Sequence, residues 1–270
     1  MGEIDFWRRA LKQIIEDIKK FGKYIIYASK AELKSEVANS KLNWIWWILE
    51  PFCFMLVYAF VFGIIFHASE PHQGLFIFVG LSVWNFFNKV IKRSVVIVKR
   101  NRQIIGKIYI PKYMLLIQDE MVNGFKMGIC WIISLAMIVF YKVGFTWYFF
   151  MLIPILILLV LLTFGIGCFL LHFGVYLEDL SNITDIVLRL VMYFVGVFYS
   201  IPKRVPAPYN VYLVKWNPVA YMVDSVRRIL IYHQQIDYVT YGFWMIMAIL
   251  LAYAGIQLIY KNENSYIKVI

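Results

Sequence analysis

Apolar positions in this chain gather into six long stretches divided by short charged or proline-rich segments. The stretches are Trp44 to Phe66, Leu75 to Ile91, Tyr113 to Tyr141, Trp147 to Phe173, Ile186 to Ile201 and Val239 to Tyr260. A helix crossing a hydrocarbon core of ~30 Å needs about 20 apolar residues at ~1.5 Å each. The first, third, fourth and sixth stretches meet that length unaided, while the second and fifth need help from their ends. None alternates apolar with polar residues, and backbone groups in hydrocarbon find no water to bond, so the pattern predicts helices and not a barrel. The expected fold is an all-α integral membrane protein of six transmembrane helices, with residues 1–43 before the membrane region, 44–260 forming it and 261–270 as a tail.

The segments between the stretches carry their own patterns. Phe6, Leu11, Ile14, Ile15, Ile18 and Phe21 recur at helical spacing among charges, and Tyr24 to Val37 repeats a mixed pattern. Both predict amphipathic helices at a membrane surface, serving as an interfacial anchor or as a docking surface for a partner. Lys92 to Pro111 mixes basic clusters with Val95, Val96, Ile97, Ile104, Ile105 and Ile108. It is too charged to cross and too apolar to float free, which predicts a short helix along or below the membrane, with a lipid-binding basic patch as the alternative. Pro111 then turns Ile110 away from helix.

Between the last two stretches, Pro202, Pro206 and Pro208 stop one helix, and Val211 to Val214 and Val219 to Ile231 resume on either side of Asn217 and Pro218. Neither piece is long enough to span. Two re-entrant half-helices over about 206–232 fit the pattern, as does an amphipathic surface loop.

Charge fixes an expected orientation. Nine Lys and Arg lie between Arg8 and Lys41, and Lys92, Arg93, Lys99, Arg100, Arg102, Lys107 and Lys112 follow the second stretch. The link between the first two stretches has none. The positive-inside rule therefore places both termini and the second link in the cytoplasm. The net charge of +11 is mostly a feature of that side, and its position beside membrane spans argues for topology and against nucleic acid. Lys203, Arg204, Lys215, Arg227 and Arg228 fall on the other side. Snorkelling to headgroups accounts for the first two, and Arg227 and Arg228 are candidates for phosphate contact because guanidinium forks match its oxygens.

Polar groups inside the stretches need partners. Glu50 and Lys89 form one conceivable pair, and Asn85 and Asn88 serve either as helix-packing glue or as the lining of a wet path. Gly165, Gly167 and Gly174 read as close-packing positions. Aromatic residues make up 19% of the chain. Belt and core roles are expected for most, and Tyr58, Trp84 and Phe87 are candidates to line a route for sugars, whose apolar faces stack on aromatic planes.

Recognisable catalytic chemistry is missing. There is no GxxxxGK[ST] phosphate loop, no HExxH and no nucleophile elbow, and Cys53, Cys130 and Cys168 all lie inside apolar stretches. His67 and His72 read as loop residues, and Glu178 and Asp179 as a solvated helix end. A membrane glycosyl- or phosphotransferase would need clustered carboxylates or histidines at a span end, and such clusters are scarce.

Three segments resemble the type-2 ABC transporter permeases that export polysaccharides and teichoic acids: NSKLNWIWWILEPFCFMLVYAFVFG at Asn39 to Gly63, IIGKIYIPKYMLLI at Ile104 to Ile117, and VKWNPVAYMVDSVRRILI at Val214 to Ile231. Their order and spacing carry the resemblance over nearly the whole chain. Asn43 and the Glu178-Asp179 pair depart from the family's usual Gly and Arg-Asp. The run from Tyr58 to Gly63 and the Asn-Pro-Val-x-Tyr run look closest to teichoic acid exporters, with O-antigen and capsule exporters near behind. An exporter of a small drug or lipid would share the topology.

The resemblance implies a homodimer paired with two copies of a separate ATPase in a bacterial cytoplasmic membrane. ATP and Mg would be held by that partner, no cofactor by this chain, and the cargo would be a lipid-linked glycopolymer. It further implies that Tyr24 to Lys41 is an interface helix and that Lys99 to Ile110 is a coupling helix, with Lys99, Arg100, Ile104, Ile105, Lys107, Ile108 and Tyr109 as contacts. Pro206, Asn217, Pro218, Arg227 and Arg228 would belong to an outer gate, and Tyr58, Trp84, Phe87 and Asn88 to the substrate path.

Overall fold

The computed structural model describes the backbone of residues 2–38, 43–65 and 70–269 and the side chains of 15–38, 44–65 and 70–266. The expected end of the interface helix at Lys41, the end of the first stretch at Phe66, His67, and the side chains of Phe6, Leu11 and Ile14 lie outside the described residues.

All regular structure among the described residues is helical. Helix α1 (Gly2–Ala38) is one continuous helix where two were expected. Gly22 is the only break in propensity near the expected junction, and a single glycine costs a helix only about 1 kcal/mol. A short 3-10 turn (Asn43–Ile45) leads into α2 (Trp46–Tyr58), which continues as a π-helical stretch (Ala59–Ile65). The longer helices that follow are α3 (Gln73–Arg100), α5 (Lys112–Phe140), α6 (Leu152–Tyr176) and α11 (Tyr238–Val269).

Two of these run well past their apolar stretches. α3 continues to Arg100 because Val95, Ile97 and Val98 keep an apolar face buried beneath the basic residues. α11 continues through the expected tail because Tyr266 and Glu263 are buried there. Shorter helices complete the chain: α4 (Arg102–Ile105), α7 (Leu180–Phe194), α8 (Ile201–Arg204), α9 (Tyr209–Trp216) and α10 (Pro218–Arg227).

Among the described residues, five helical segments are long and apolar enough to cross a membrane: 46–65, 73–100, 112–140, 147–176 and 238–266. The fifth apolar stretch forms none of them. Its helix, α7, starts six residues early at Leu180 and stops at Phe194, because Gly196 adopts a φ of 70° that only glycine takes without strain. Fifteen residues reach about 22 Å. Even so, α7 travels far along α3. Asp185 pairs with Lys92 at 2.8 Å near one end, and the chain just after α7 meets Arg227 beside Phe76 at the other.

α3 is the axis of the bundle. α5, α6, α7, α10 and α2 all pack on it, and nearly every residue from Leu75 to Trp84 is enclosed. α6 lies against both α3 and α11, and the expected small residues permit it. A Cβ at Gly174 would sit 2.0 Å from the Val95 carbonyl oxygen, one at Gly165 would sit 2.8 Å from the Ala252 nitrogen, and one at Gly167 would crowd the Ser94 hydroxyl.

Candidate functional site

The polar chemistry collects at the two ends of α3. At the C-terminal end, Asn101 leaves the helical path and its side-chain amide caps the Ile97 carbonyl at 2.8 Å. One turn of helix, α4, follows. The expected coupling helix over 99–110 is therefore three pieces: the last turn of α3, α4, and a turn through Lys107, Ile108 and Tyr109. Gly106 and Pro111 prevent a longer helix, as both disfavour helical continuation.

Within this tip the apolar residues divide. Ile105 and Ile110 are buried against Val98, Met114 and Leu115, whereas Ile104, Ile108 and Tyr109 are exposed at 39%, 55% and 60%. Lys99, Arg100 and Lys107 are exposed around them.

Behind the tip is a buried ion pair. Lys112 Nζ lies 3.1 Å from Glu263 Oε1, with the two side chains 1% and 7% exposed. Tyr109 donates its hydroxyl to the other Glu263 oxygen at 3.1 Å, and the Lys112 ammonium lies over its ring. The Tyr109 phenol is pushed up to about 12, first by partial burial and then by the Glu263 carboxylate that accepts its proton. Next to this, Tyr113 donates to Asp17 at 2.8 Å, and Tyr260 also bonds Asp17. These contacts tie the tip to α1 and α11.

A second ionic group clamps α1 to the bundle. Arg93 reaches Asp119 at 2.8 Å and Glu32 at 2.5 Å. Gln118 donates to Glu32 at 3.1 Å, and Lys126 pairs with Glu36 at 2.5 Å. Sequence reasoning missed this group. Its signal was present as three charged residues, Arg93, Asp119 and Lys126, inside or beside apolar stretches where each needs a partner. The one ion pair that was expected, Glu50 with Lys89, forms at 3.5 Å.

At the N-terminal end of α3 sits a helical hairpin. α9 and α10 meet at Asn217, whose side-chain oxygen accepts from the amides of Val219 and Ala220 at 3.1 and 3.2 Å, while Pro218 takes the first helical position. This is an N-cap followed by a residue that has no amide to satisfy. α10 packs into α3 and α6, and α9 lies on α10 with Tyr209, Tyr212 and Trp216 exposed. Two short helices occupy the segment expected to form re-entrant half-helices, and Pro206 lies in the loop that leads into α9.

Arg227 departs from expectation. It is 3% exposed, and its guanidinium donates to the carbonyl oxygens of Phe76 at 3.2 Å, Gly196 at 2.7 Å and Val197 at 2.5 Å, with the Phe76 ring 3.5 Å away. Every face is taken, so it offers nothing to a phosphate. Gly80 makes the room, since a Cβ there would lie 2.5 Å from the guanidinium. Arg228 bonds Asp224 at 2.6 Å through Nε and remains partly exposed. Lys203, expected to snorkel, pairs instead with Glu70 at 2.6 Å, and Tyr232 donates to the same carboxylate at 2.8 Å.

The candidate path residues do not line one surface, although Trp84 and Phe87 touch with ring centroids 5.9 Å apart. Trp84 and Phe87 are 3% and 7% exposed and belong to the core, because the face of α3 that carries them is covered at that depth. Asn88 is half-buried on another side of α3. Tyr58 is half-buried against Phe198, with ring centroids 3.9 Å apart.

A bundle of long apolar helices with a basic, partly apolar tip at one end and, at the other, a helical hairpin packed on α3 through α10 defines a multi-pass membrane protein. Residues 24–231 match the ABC-2 type transporter family, and the chain belongs to it. It is similar to the O-antigen export system permease protein RfbA of Klebsiella pneumoniae, 22% identical over 249 residues that cover 91% of this chain and 94% of the relative. It is also similar to a protein of the same description in Myxococcus xanthus, at 23% with 83% and 86% covered, and to the polysialic acid transport protein KpsM of Escherichia coli, at 22% with 87% and 91% covered.

Proposed function

We propose that this chain is the transmembrane subunit of an ATP-driven exporter that moves a lipid-linked cell-envelope glycopolymer outward across the bacterial cytoplasmic membrane. It works as a homodimer with two copies of a separate cytoplasmic ATPase, which holds the ATP and Mg. The observation that carries this reading is the divided tip: Ile105 and Ile110 anchor it while Ile104, Ile108 and Tyr109 stand out among basic residues. Apolar side chains held rigidly at a charged, water-facing turn are what a partner protein would cover.

The tip, the basic residues of 92–112 and both termini lie in the cytoplasm by the positive-inside rule. α7 with the turn after it supplies the sixth crossing, since it runs from the level of Lys92 to the level of Phe76 along α3. The cargo class rests on the relatives, whose names give O-antigen and polysialic acid. The runs at Tyr58 to Gly63 and Asn217 to Tyr221 favour wall teichoic acid within the same polymer class, with O-antigen or capsular polysaccharide as the second reading.

α3 gives the coupling a physical route. Its 28 residues form one helix of about 42 Å, with the tip at one end and the Phe76 carbonyl that holds Arg227 at the other. Force applied at α4 when the ATPases close would shift this rod and, through Arg227, the α9–α10 hairpin. A rod of this kind couples two sites only if it moves as a unit, which the burial of its apolar face from Leu75 to Val98 favours.

The test is the triple substitution of Ile104, Ile108 and Tyr109 to Ala in the assembled transporter. Polymer export is expected to fall by at least tenfold, while the complex still reaches the membrane and its ATPase activity no longer responds to cargo. Full export by this variant would remove the coupling assignment. The polymer that accumulates inside cells on depletion of the chain would identify the cargo.

A further inference from the structure

On the side of the hairpin away from α3, the chain encloses a cleft of about 180 Å³ between α8, α9, α10 and α11. Its polar lining includes Asn210, Lys215, Tyr221, Asp224, Arg228 and Asp237. A shallower hollow shares Lys215 and Thr240 with it and adds Trp216, Val239 and Phe243, so the two are continuous. From that rim an apolar strip descends α11 through Val239, Phe243, Ile246 and Leu250, exposed at 83%, 45%, 62% and 49%. These residues recur at three- and four-residue steps and so share one face.

Two cations and two carboxylates face one small cleft; Asp237 already accepts three hydrogen bonds from Val239 and Thr240 and keeps one lone pair on Oδ2, and the other three groups are less engaged. Arg228 uses only Nε on Asp224 among the described residues, which leaves both terminal nitrogens and one Asp224 oxygen available. Lys215 is 55% exposed and approaches Asp237 no closer than 3.9 Å. A purely anionic ligand would meet the two carboxylates, and a purely cationic one the two basic groups. A ligand carrying both charges a few ångströms apart satisfies all four. The cleft is also smaller than the ~300 Å³ at which sites for drug-sized molecules begin, so it suits a headgroup and not an oligosaccharide.

We infer that this cleft binds the headgroup of a zwitterionic phospholipid bearing a primary ammonium. The phosphate lies against Lys215 and the free edge of the Arg228 guanidinium, and the ammonium donates to Asp224 and Asp237. One acyl chain follows Val239, Phe243 and Ile246 into the bilayer, and Trp216 sits at the interface, where its ring is favoured. The bound lipid would fill the space between α9 and α11 and brace the hairpin from behind. Nothing in this depends on which polymer is exported, so its test reads lipid retention and not transport.

The experiment equilibrates the purified chain in detergent with equal amounts of phosphatidylethanolamine, phosphatidylcholine and phosphatidylglycerol, then counts retained lipids by native mass spectrometry. Phosphatidylethanolamine is expected to be retained about tenfold over phosphatidylcholine, whose ammonium has no proton to donate, a ratio equal to one charge-assisted hydrogen bond. Asp224→Asn should reduce that preference toward unity. Lys215→Gln, at an exposed position that leaves the fold intact, should lower retention of both zwitterionic lipids by several-fold. Equal retention of all three lipids, preference for phosphatidylglycerol, or retention unchanged in both variants would overturn the assignment. Displacement of the bound lipid by a soluble oligosaccharide would overturn it in favour of a sugar subsite.

Discussion

Each end of α3 holds a buried cation, and the two are neutralised by different means. At the tip, Lys112 is matched by one side chain, the Glu263 carboxylate. At the hairpin, Arg227 is matched by three backbone carbonyls and the face of Phe76. An ion pair can be replaced as a pair, because both partners are side chains. A clasp made of carbonyls cannot, since its acceptors belong to the path of the chain. The planar guanidinium with several fixed donors suits the second arrangement, as an ammonium with three clustered donors would not. The tip is thus joined to the bundle by a contact that sequence change can adjust, and the hairpin by one that only Arg227 can make.

The sharpest way to break this contrast is to remove Arg227. Arg227→Met should destabilise the protein by about 3–5 kcal/mol, because the carbonyls of Gly196 and Val197 would be left buried and unpaired and the packing on Phe76 would be lost, although the Phe76 carbonyl keeps its own helical amide. Thermal unfolding in detergent measures it. Arg227→Lys is expected to recover less than half of the loss, since one ammonium cannot reach three carbonyls in three directions. A lysine variant as stable as the native chain would show that the clasp is not the reason for the arginine.

At the other end, Lys112→Met alone should cost a similar 3–5 kcal/mol by stranding the Glu263 carboxylate. The double variant Lys112→Met with Glu263→Gln should recover most of it, because no buried charge then remains and Tyr109 keeps an acceptor. The recovery itself is the prediction. If the double variant were as unstable as the single one, the tip end would be as irreplaceable as the hairpin end, and the contrast between them would fail.

The same contrast explains what could be read in the sequence. Glu50 with Lys89, the close-packed glycines of α6 and the break at Asn217 and Pro218 were legible because each is carried by side-chain type or by a local backbone rule. Arg227 was legible as an unusual charge, but its use was not. Backbone carbonyls have no letter in the sequence, and Phe76 lies 151 residues away. The continuation of α3 to Arg100 was hidden because basic residues there look like the end of a span, although the apolar face persists between them. α7 was misjudged by composition: apolar residues run on through Ile201, while the glycine at 196 ends the helix. Trp84 and Phe87 looked available for cargo only because a sequence does not show which face of α3 is covered.

The smallest expected effect lies where α11 begins, close to the hairpin, and it separates a local cap from the long-range clasp beside it. Asp237 accepts from the amides of Val239 and Thr240 at 3.1 and 3.3 Å and from the Thr240 hydroxyl at 2.8 Å, so it caps α11. Partial burial works to raise its carboxyl. The bonds from Thr240 and Val239, with Lys215 nearby, outweigh that and hold it below the ordinary carboxylate value. A group whose folded value is depressed stabilises the fold above its unfolded value, and that contribution disappears as pH falls through the folded one. Asp237→Ala should therefore cost about 1 kcal/mol at neutral pH, the usual worth of such a cap, and progressively less as the medium is acidified below the ordinary aspartate range. The Arg227→Met deficit should persist across the same window, because carbonyls do not titrate. Unfolding curves for both variants recorded from neutral to acidic pH make the comparison, and a deficit at Asp237 that stayed constant with pH would show that its charge contributes nothing to the cap.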